Sequence, residues 1–401
     1  MPNQIDAVYA TGRVFLDADS HIMELPGFIE PFADPSIRAR LPPISTEAAG
    51  AQGEGFDAYI EAGAHSPEQV RELERNVISG PKGYHALGAF NSVERSRALD
   101  LLGFDAQLVF GTFALSCFLH DADLEVRYGG CRAYNRAIAA FCADDRRFQA
   151  VAVLSLEDPG LALVELKFAL ALGATAVWIP AEPCGGRSPG HVDLDPIWAT
   201  LADAGVPFLL HVGAQRIQIR DEYMNTGRRQ AVGFLGGGEA LRLKDFPILH
   251  VDTEEFLSVL VLDGVLERHP ALRGGAIELG ASWVPSMLRR IDHAVDNLAR
   301  HDPDVRAFTR RPSEQVIDQL AFTPFPFEDV GRLITESCDE LYLFSSDYPH
   351  VEGGRNPLGR FEASLGDAPD TTRDRFYSSN LLRIMPALAA SMPGSMPGST
   401  P

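Results

Sequence analysis

The sequence predicts an α/β protein, a (β/α)8 barrel with an insertion between strands one and two and a lid after strand five. Three observations carry this. Short runs rich in β-branched and aromatic residues recur along the chain. Most are followed by a longer helical pattern, the signature of parallel strands joined by crossover helices. Several runs end in an ionisable residue, as expected where a barrel gathers its chemistry at the C-terminal ends of its strands. With 401 residues, 45% of them hydrophobic, the chain is long enough to bury one such core.

The elements follow in order. "RVFLDAD" (13–19) is the first strand, after an N-terminal extension over 1–12. Residues 41–92 read as a loop-and-helix insertion. "DAQLVFGT" (105–112) is the second strand, and "DLEVRYGGCRAYNRAIAAFCADD" its helix, with the glycine pair as a weak spot. "FQAVAVLSL" (148–156) is the third. Its helix, "PGLALVELKFALALG", is apolar nearly all round, which predicts deep burial. "ATAVWIP" (174–180) precedes the helix "LDPIWATLADAG", and "VPFLLHVG" (206–213) is the fifth strand. The polar stretch 214–247 reads as an insertion that serves either as a lid or as a dimer contact. A helix is expected over 253–270, with Thr253 as its N-cap. "LRGGAIELG" (272–280) is the sixth strand, "DQLAFTPF" (318–325) the seventh, and "ELYLFSSD" (340–347) the eighth and clearest. The barrel spans 13–386, and the Ser/Pro/Gly-rich residues 387–401 are expected to be a disordered tail. An open doubly wound sheet is disfavoured, because no G-x-G-x-x-G follows the first strand.

Bulk properties narrow the function. The net charge is −20, from 35 basic and 55 acidic residues. Such a surface repels phosphate backbones and anionic lipid, so neither nucleic acid nor membrane is expected as a partner, which leaves a small-molecule substrate. The five cysteines are odd in number, widely spaced and free of C-x-x-C, a pattern that fits a reducing cytoplasm. The N-terminus does not read as a signal peptide, and no apolar run approaches 18 residues.

The candidate chemistry sits at strand ends. Asp17, Asp19 and His21 close the first strand, spaced so that all three lean to one face. His211 closes the fifth, Glu278 the sixth and Asp347 the eighth. A charged side chain beside barrel wall is expensive unless paired or metal-bound. A lone D-x-H is common by chance, and a lone histidine after an apolar strand is more often a rim residue. Four strands placing their ionisable residue at the same end make a divalent metal site the economical reading.

These stretches also resemble a known family. "DADSH", "LLHVG", "GVLERHPALRGGAIELGASWVPSMLRRID" and "LFSSDYPHVEG", with the closing "FYSSNLLRIM", are similar to the amidohydrolase superfamily. The similar branch contains aminocarboxymuconate-semialdehyde decarboxylase and related aromatic-acid decarboxylases and hydrolases. The resemblance implies that Asp19, His21, His211 and Asp347 hold the metal, with Asp17 orienting a ligand, and that the protein is a homo-oligomer, a dimer. Where decarboxylating relatives often have a strand-six histidine, this chain has Glu278. Glu278 therefore joins the expected ligands, and His250 and His350 are further candidates near the mouth.

Two functional readings follow. The first is a metal-dependent hydrolase or non-oxidative decarboxylase of an organic acid or carbonyl compound. Asp347 would shuttle a proton with Glu278 or His250 as acid/base partner, and Arg187 or Arg355 would hold a carboxylate. The second follows from the carboxylate-rich donor set, which suits Mn or Fe at least as well as Zn and has room for one or two ions. It is a non-haem iron, possibly diiron, monooxygenase that uses Glu278 or Glu254 as an additional ligand. Trp178, Phe113, Phe118 and Phe325 would line its apolar pocket, although each taken singly reads as core.

Overall fold

The computed structural model describes residues 8–45, 56–213, 219, 221–228 and 243–391. Its strands are β1 (Leu16–Asp17), β2 (His21–Ile22), β3 (Ala106–Gly111), β4 (Phe148–Val153), β5 (Ala176–Trp178), β6 (Phe208–His211), β7 (Gly274–Ile277) and β8 (Leu320–Phe322). They form one curled sheet in the order β1-β3-β4-β5-β6-β7-β8, with β2 beside β3. Every pairing is parallel. All strand residues are buried, as expected of a parallel sheet covered by helices. The arrangement is consistent with the expected (β/α)8 barrel.

Two expected strands differ in a way that matters for the site. The first is broken between Asp17 and His21. Ala18 donates its N–H to Phe344 (3.0 Å), whereas Ser20 accepts from Phe110 (2.8 Å), so the chain changes partner across "ADS". The eighth, expected over 340–347, makes only isolated bridges, Phe322 to Tyr342 and Ser20 to Tyr348. The reason is local. The Ser346 N–H is taken by the Asp17 carboxylate at 2.7 Å instead of by a neighbouring backbone. Asp347 adopts φ +51°, which no strand continues. The segment still links both edges of the curled sheet: Phe322 donates to Leu341 (2.8 Å) and His21 to Tyr348 (2.8 Å).

The helices show further departures. Leu124–Cys142 forms one helix, and its glycine pair is a packing contact, not a weak spot. A Cβ at Gly129 would meet Ile37 at 2.7 Å, and one at Gly130 would meet Phe118 at 2.2 Å. The apolar helix Pro159–Ala171 is buried on one side only, leaving Leu161 41% and Val164 58% exposed. The helix expected over 253–270 is two, Val251–Leu262 and Val265–Arg268, parted by Gly264 in the left-handed region. Thr253 lies inside the first and is buried, while His250 occupies the N-cap position.

Within the expected insertion lie the helices Phe56–Ala62 and Pro67–Leu73, the second opened by a Ser66/Gln69 capping box; residues 46–55 are outside the described set. Most of the expected lid, 214–218, 220 and 229–242, is outside it too. Pro386–Ser391 is helical with Leu388 buried, so the expected tail begins later than 387; residues 392–401 are not described. No helix among the described residues is long and apolar enough to cross a membrane.

Candidate metal centre

Five of the expected residues meet at the C-terminal end of the sheet. Asp19 comes from the break between β1 and β2, His21 from β2 and His211 from the end of β6. Glu278 follows β7, and Asp347 follows the edge-linking segment. All five are buried. His21 Nε2 lies 3.3 Å from Asp19 Oδ1, 3.6 Å from Glu278 Oε2 and 3.8 Å from Asp347 Oδ1. His211 Nε2 lies 3.3 Å from Asp19 Oδ1 and 3.5 Å from Glu278 Oε2. The donor atoms of Asp19, His21, His211 and Glu278 fall within 4.8 Å of one another, as do those of His21, Glu278, Asp347 and His350.

The outer hydrogen bonds fix which atoms face inward. A carbonyl can only accept, so His21 donates from Nδ1 to Gly111 (3.1 Å), and His211 donates from Nδ1 to Val212 (2.8 Å). In the neutral tautomers this leaves both Nε2 lone pairs directed at the carboxylates, an arrangement that needs a cation at its centre. Asp19 Oδ2 is buried with no hydrogen-bond partner among the described residues. Burial opposes the Asp19 charge, yet His211 and His21 hold its pKa well below the usual carboxylate range. The donor set of two imidazoles and three carboxylates fits a divalent ion.

The two carboxylates on the later elements are held by strained backbone. Glu278 (φ +55°) and Asp347 (φ +51°) are the only non-glycine residues in the left-handed region among the described residues. Such conformations cost about 1 kcal/mol or more each and persist where the surroundings over-determine them. Glu278 is pinned by donating its N–H to Thr323 Oγ1 (2.8 Å), and Asp347 by donating its N–H to the Asp19 carbonyl (3.0 Å). Glu278→Gly is therefore expected to raise the stability of the metal-free protein by about 1 kcal/mol in urea titrations while weakening metal binding; a loss of stability would show that the backbone there is unstrained.

Behind the cluster, Asp17 accepts from Ser346 N (2.7 Å), Ser346 Oγ (2.6 Å), Gln107 Nε2 (2.6 Å) and Asp19 N (3.3 Å). Burial pushes its pKa up to about 7 against the pull of these donors. Arg95, fully buried, donates to the carbonyls of His21 (2.7 Å) and Tyr348 (3.3 Å), tying two ligand-bearing segments together.

His350 is part of the centre, its ring stacked on His21 with centroids 3.9 Å apart. Thr112 spends its hydroxyl proton on the Ile22 carbonyl (2.9 Å) and so accepts from His350 Nε2 (3.0 Å), leaving His350 Nδ1 3.2 Å from Asp347 Oδ1. His250 is not brought into the cluster. It stacks on Trp283 at 5.6 Å, with Nε2 3.7 Å from Glu254, and Glu254 is itself paired with Arg290. Arg187 is engaged by Asp193 (3.2 Å), and Arg355 is exposed. Trp178 packs 4.8 Å from the His211 ring, whereas Phe113 and Phe118 pack on Tyr84 and Tyr134 in the core.

The amidohydrolase family model matches residues 93–384, most of the chain. The protein belongs to the amidohydrolase family. Its fold is shared with an amidohydrolase from Mycobacterium avium subsp. paratuberculosis, 21% identical, with a TM-score of 0.68 over 94% of this chain and 100% of the other. A 5-carboxyvanillate decarboxylase from Novosphingobium aromaticivorans, complexed with manganese and 4-hydroxy-3-methoxy-5-nitrobenzoic acid, is 17% identical (TM-score 0.62, covering 94% and 98%). A dihydroxybenzoic acid decarboxylase from Polaromonas, with manganese and 2-nitroresorcinol, is also 17% identical (TM-score 0.60, 94% and 98%). No curated protein sequence matches the chain significantly. None of these structures is an oxygenase or is described with iron, so the monooxygenase reading gains no support from them.

Proposed function

We propose that this amidohydrolase-family protein is a metal-dependent non-oxidative decarboxylase acting on an aromatic acid. The observation that carries the reading is the adjacency of the His/carboxylate cluster to an aromatic pocket. The space at the cluster itself, between Asp19, Glu278, Phe325 and Asp347, is about 10 Å³, room for roughly one water. Phe325 also lines a neighbouring pocket of about 590 Å³ with Phe246, Trp283, Phe327 and His250. Phe325 lies 5.4 Å from Phe246 and stacks on Phe327 at 5.2 Å. A substrate ring belongs among these faces, with only its acid group at the cluster. Manganese and aromatic acids or phenols in two proteins of the same fold support this choice.

Asp19, His21, His211, Glu278 and Asp347 would hold the ion. When bound, it supplies positive charge against the substrate's acid group. Decarboxylation breaks the C–COO⁻ bond, leaves the electron pair on the ring carbon, releases CO₂ and consumes one proton at that carbon. Asp347 is the group we assign to passing that proton. His350, at 3.2 Å, is its acid/base partner, the role expected of Glu278 or His250. Glu278 is committed to the cluster, and His250 lies outside it.

Protein purified without added metal is expected to carry about one Mn or Zn per chain and to release CO₂ from some member of a hydroxybenzoate panel. Chelation should abolish the release and Mn should restore it. Hydrolysis of esters or amides with no CO₂ from any acid would overturn the reading in favour of a hydrolase.

A further inference from the structure

A buried imidazole–carboxylate pair outside the metal centre holds a proton that the proposed reaction does not use. His65 precedes the helix Pro67–Leu73, and Glu94 lies in the first turn of the helix Ser92–Leu102. Both are buried. Each ring nitrogen of His65 faces an acceptor: Nε2 the Tyr84 carbonyl at 2.9 Å, and Nδ1 the Glu94 carboxylate at 2.6 Å. A carbonyl can only accept, so Nε2 carries a proton, and a second proton lies between Nδ1 and Glu94. The pair therefore holds one proton more than a neutral imidazole beside a carboxylate. Glu94 also accepts from the backbone N–H groups of His65 (2.7 Å) and Gly88 (3.3 Å), and its place in a first helical turn favours the anion as well. The extra proton accordingly belongs to the ring, as an imidazolium. Three other titratable groups surround it among the described residues. Burial, and then His65, lower the pKa of His85, and burial raises those of Tyr59 and Tyr84, so all three stay neutral.

The segment that this pair closes braces the metal centre. Gly83 donates its N–H to the Pro349 carbonyl (2.9 Å), and Met23 donates to that of Ala89 (2.8 Å). The Tyr84 hydroxyl donates to the Glu24 carbonyl (2.7 Å), and the Tyr348 hydroxyl to the Leu87 carbonyl (2.7 Å). We propose that His65 and Glu94 form a proton-held clasp that fixes residues 56–92 against the stretches following His21 and Asp347, and that alkali releases it. The direction follows from proton counting. Once released, the two side chains titrate at ordinary values, about 6.5 for histidine and about 4.3 for glutamate. Between these values the docked and released forms hold the same number of protons, so docking is indifferent to pH. Above about 6.5 only the docked form keeps its proton, and docking weakens by up to about tenfold per pH unit as pH rises. Below about 4.3 the released form gains a second proton, and docking weakens as pH falls.

Hydrogen exchange of the full chain as purified tests this, read by mass spectrometry over residues 83–90 between about pH 5 and about pH 9 and expressed as protection. Wild type is expected to hold constant protection up to about pH 6.5 and to lose it at least about tenfold by about pH 8.5. His65→Gln cannot carry the charge and should show no such fall over the same range. A measurement on wild type alone guards against a misfolded variant. With nitrogen-labelled histidine, both ring nitrogens of His65 should still bear protons at about pH 7.5, where an unperturbed histidine has lost one. The proposal is overturned by protection that does not fall above about pH 6.5, by a wild-type slope in His65→Gln, or by a neutral His65 ring at about pH 7.5. None of these readouts involves turnover, so the clasp and the decarboxylase reading fail separately.

Discussion

Asp347→Asn is expected to lower kcat by at least about a thousandfold at saturating Mn while leaving the protein folded. The side chain has nearly the same volume, and the backbone hydrogen bond to Asp19 does not depend on it. What changes is charge. The amide contributes one neutral oxygen where the carboxylate faces His21 at 3.8 Å and His350 at 3.2 Å, and it cannot accept the proton that His350 would pass. Circular dichroism and metal analysis on the variant separate the causes. Full metal occupancy with lost CO₂ release points to proton transfer, and lost occupancy points to ligation. Activity within tenfold of wild type would remove Asp347 from the mechanism.

How much of this was legible beforehand depended on the kind of signal each residue leaves. Asp19, His21, His211, Glu278 and Asp347 each interrupt an apolar run. A buried parallel strand is nearly all apolar, so a single ionisable residue at its end stands out, and its position along the strand fixes which end of the sheet it serves. The same contrast exposes the core strands β3 to β8, although most are shorter than their apolar runs because the runs continue into loop. Residues that act through side chain-to-backbone bonds leave no such trace. Thr112 and Arg95 contact the site from 91 and 74 positions away from His21 in sequence, distances set only by the fold. The "SSD" before Tyr348 reads as strand, and only the folded chain shows Asp17 taking the Ser346 N–H from the ladder. His250 fails for the complementary reason: its place before an acidic helix start looks functional, but the register of a loop cannot be read from composition. The apolar helix Pro159–Ala171 shows the limit of hydrophobicity as a guide to burial, since Val164 has the same chemistry as its buried neighbours and remains 58% exposed.

The second large effect lies one layer behind the metal. Asp17→Ala is expected to cost on the order of 4 kcal/mol of unfolding stability, because it leaves four buried donors without their acceptor and each carries a penalty of about 1–3 kcal/mol, partly relieved by relaxation. Two of those donors, the backbone N–H groups of Ser346 and Asp19, belong to the segments that carry Asp347 and Asp19, so the loss falls on the geometry of the ligands as well as on the fold. Asp17→Asn is the discriminating comparison. Its remaining oxygen can still serve the two backbone donors, and its amide can meet the Gln107 side chain, whose Oε1 is buried without a partner and can turn toward it. The asparagine variant should therefore recover most of the stability. If Asp17 acts only by orienting the ligand segments, that variant should also recover metal affinity in competition titrations. Stability restored without affinity would show that the negative charge itself, and not the positions of Ser346 and Asp19, is what Asp17 supplies to the centre.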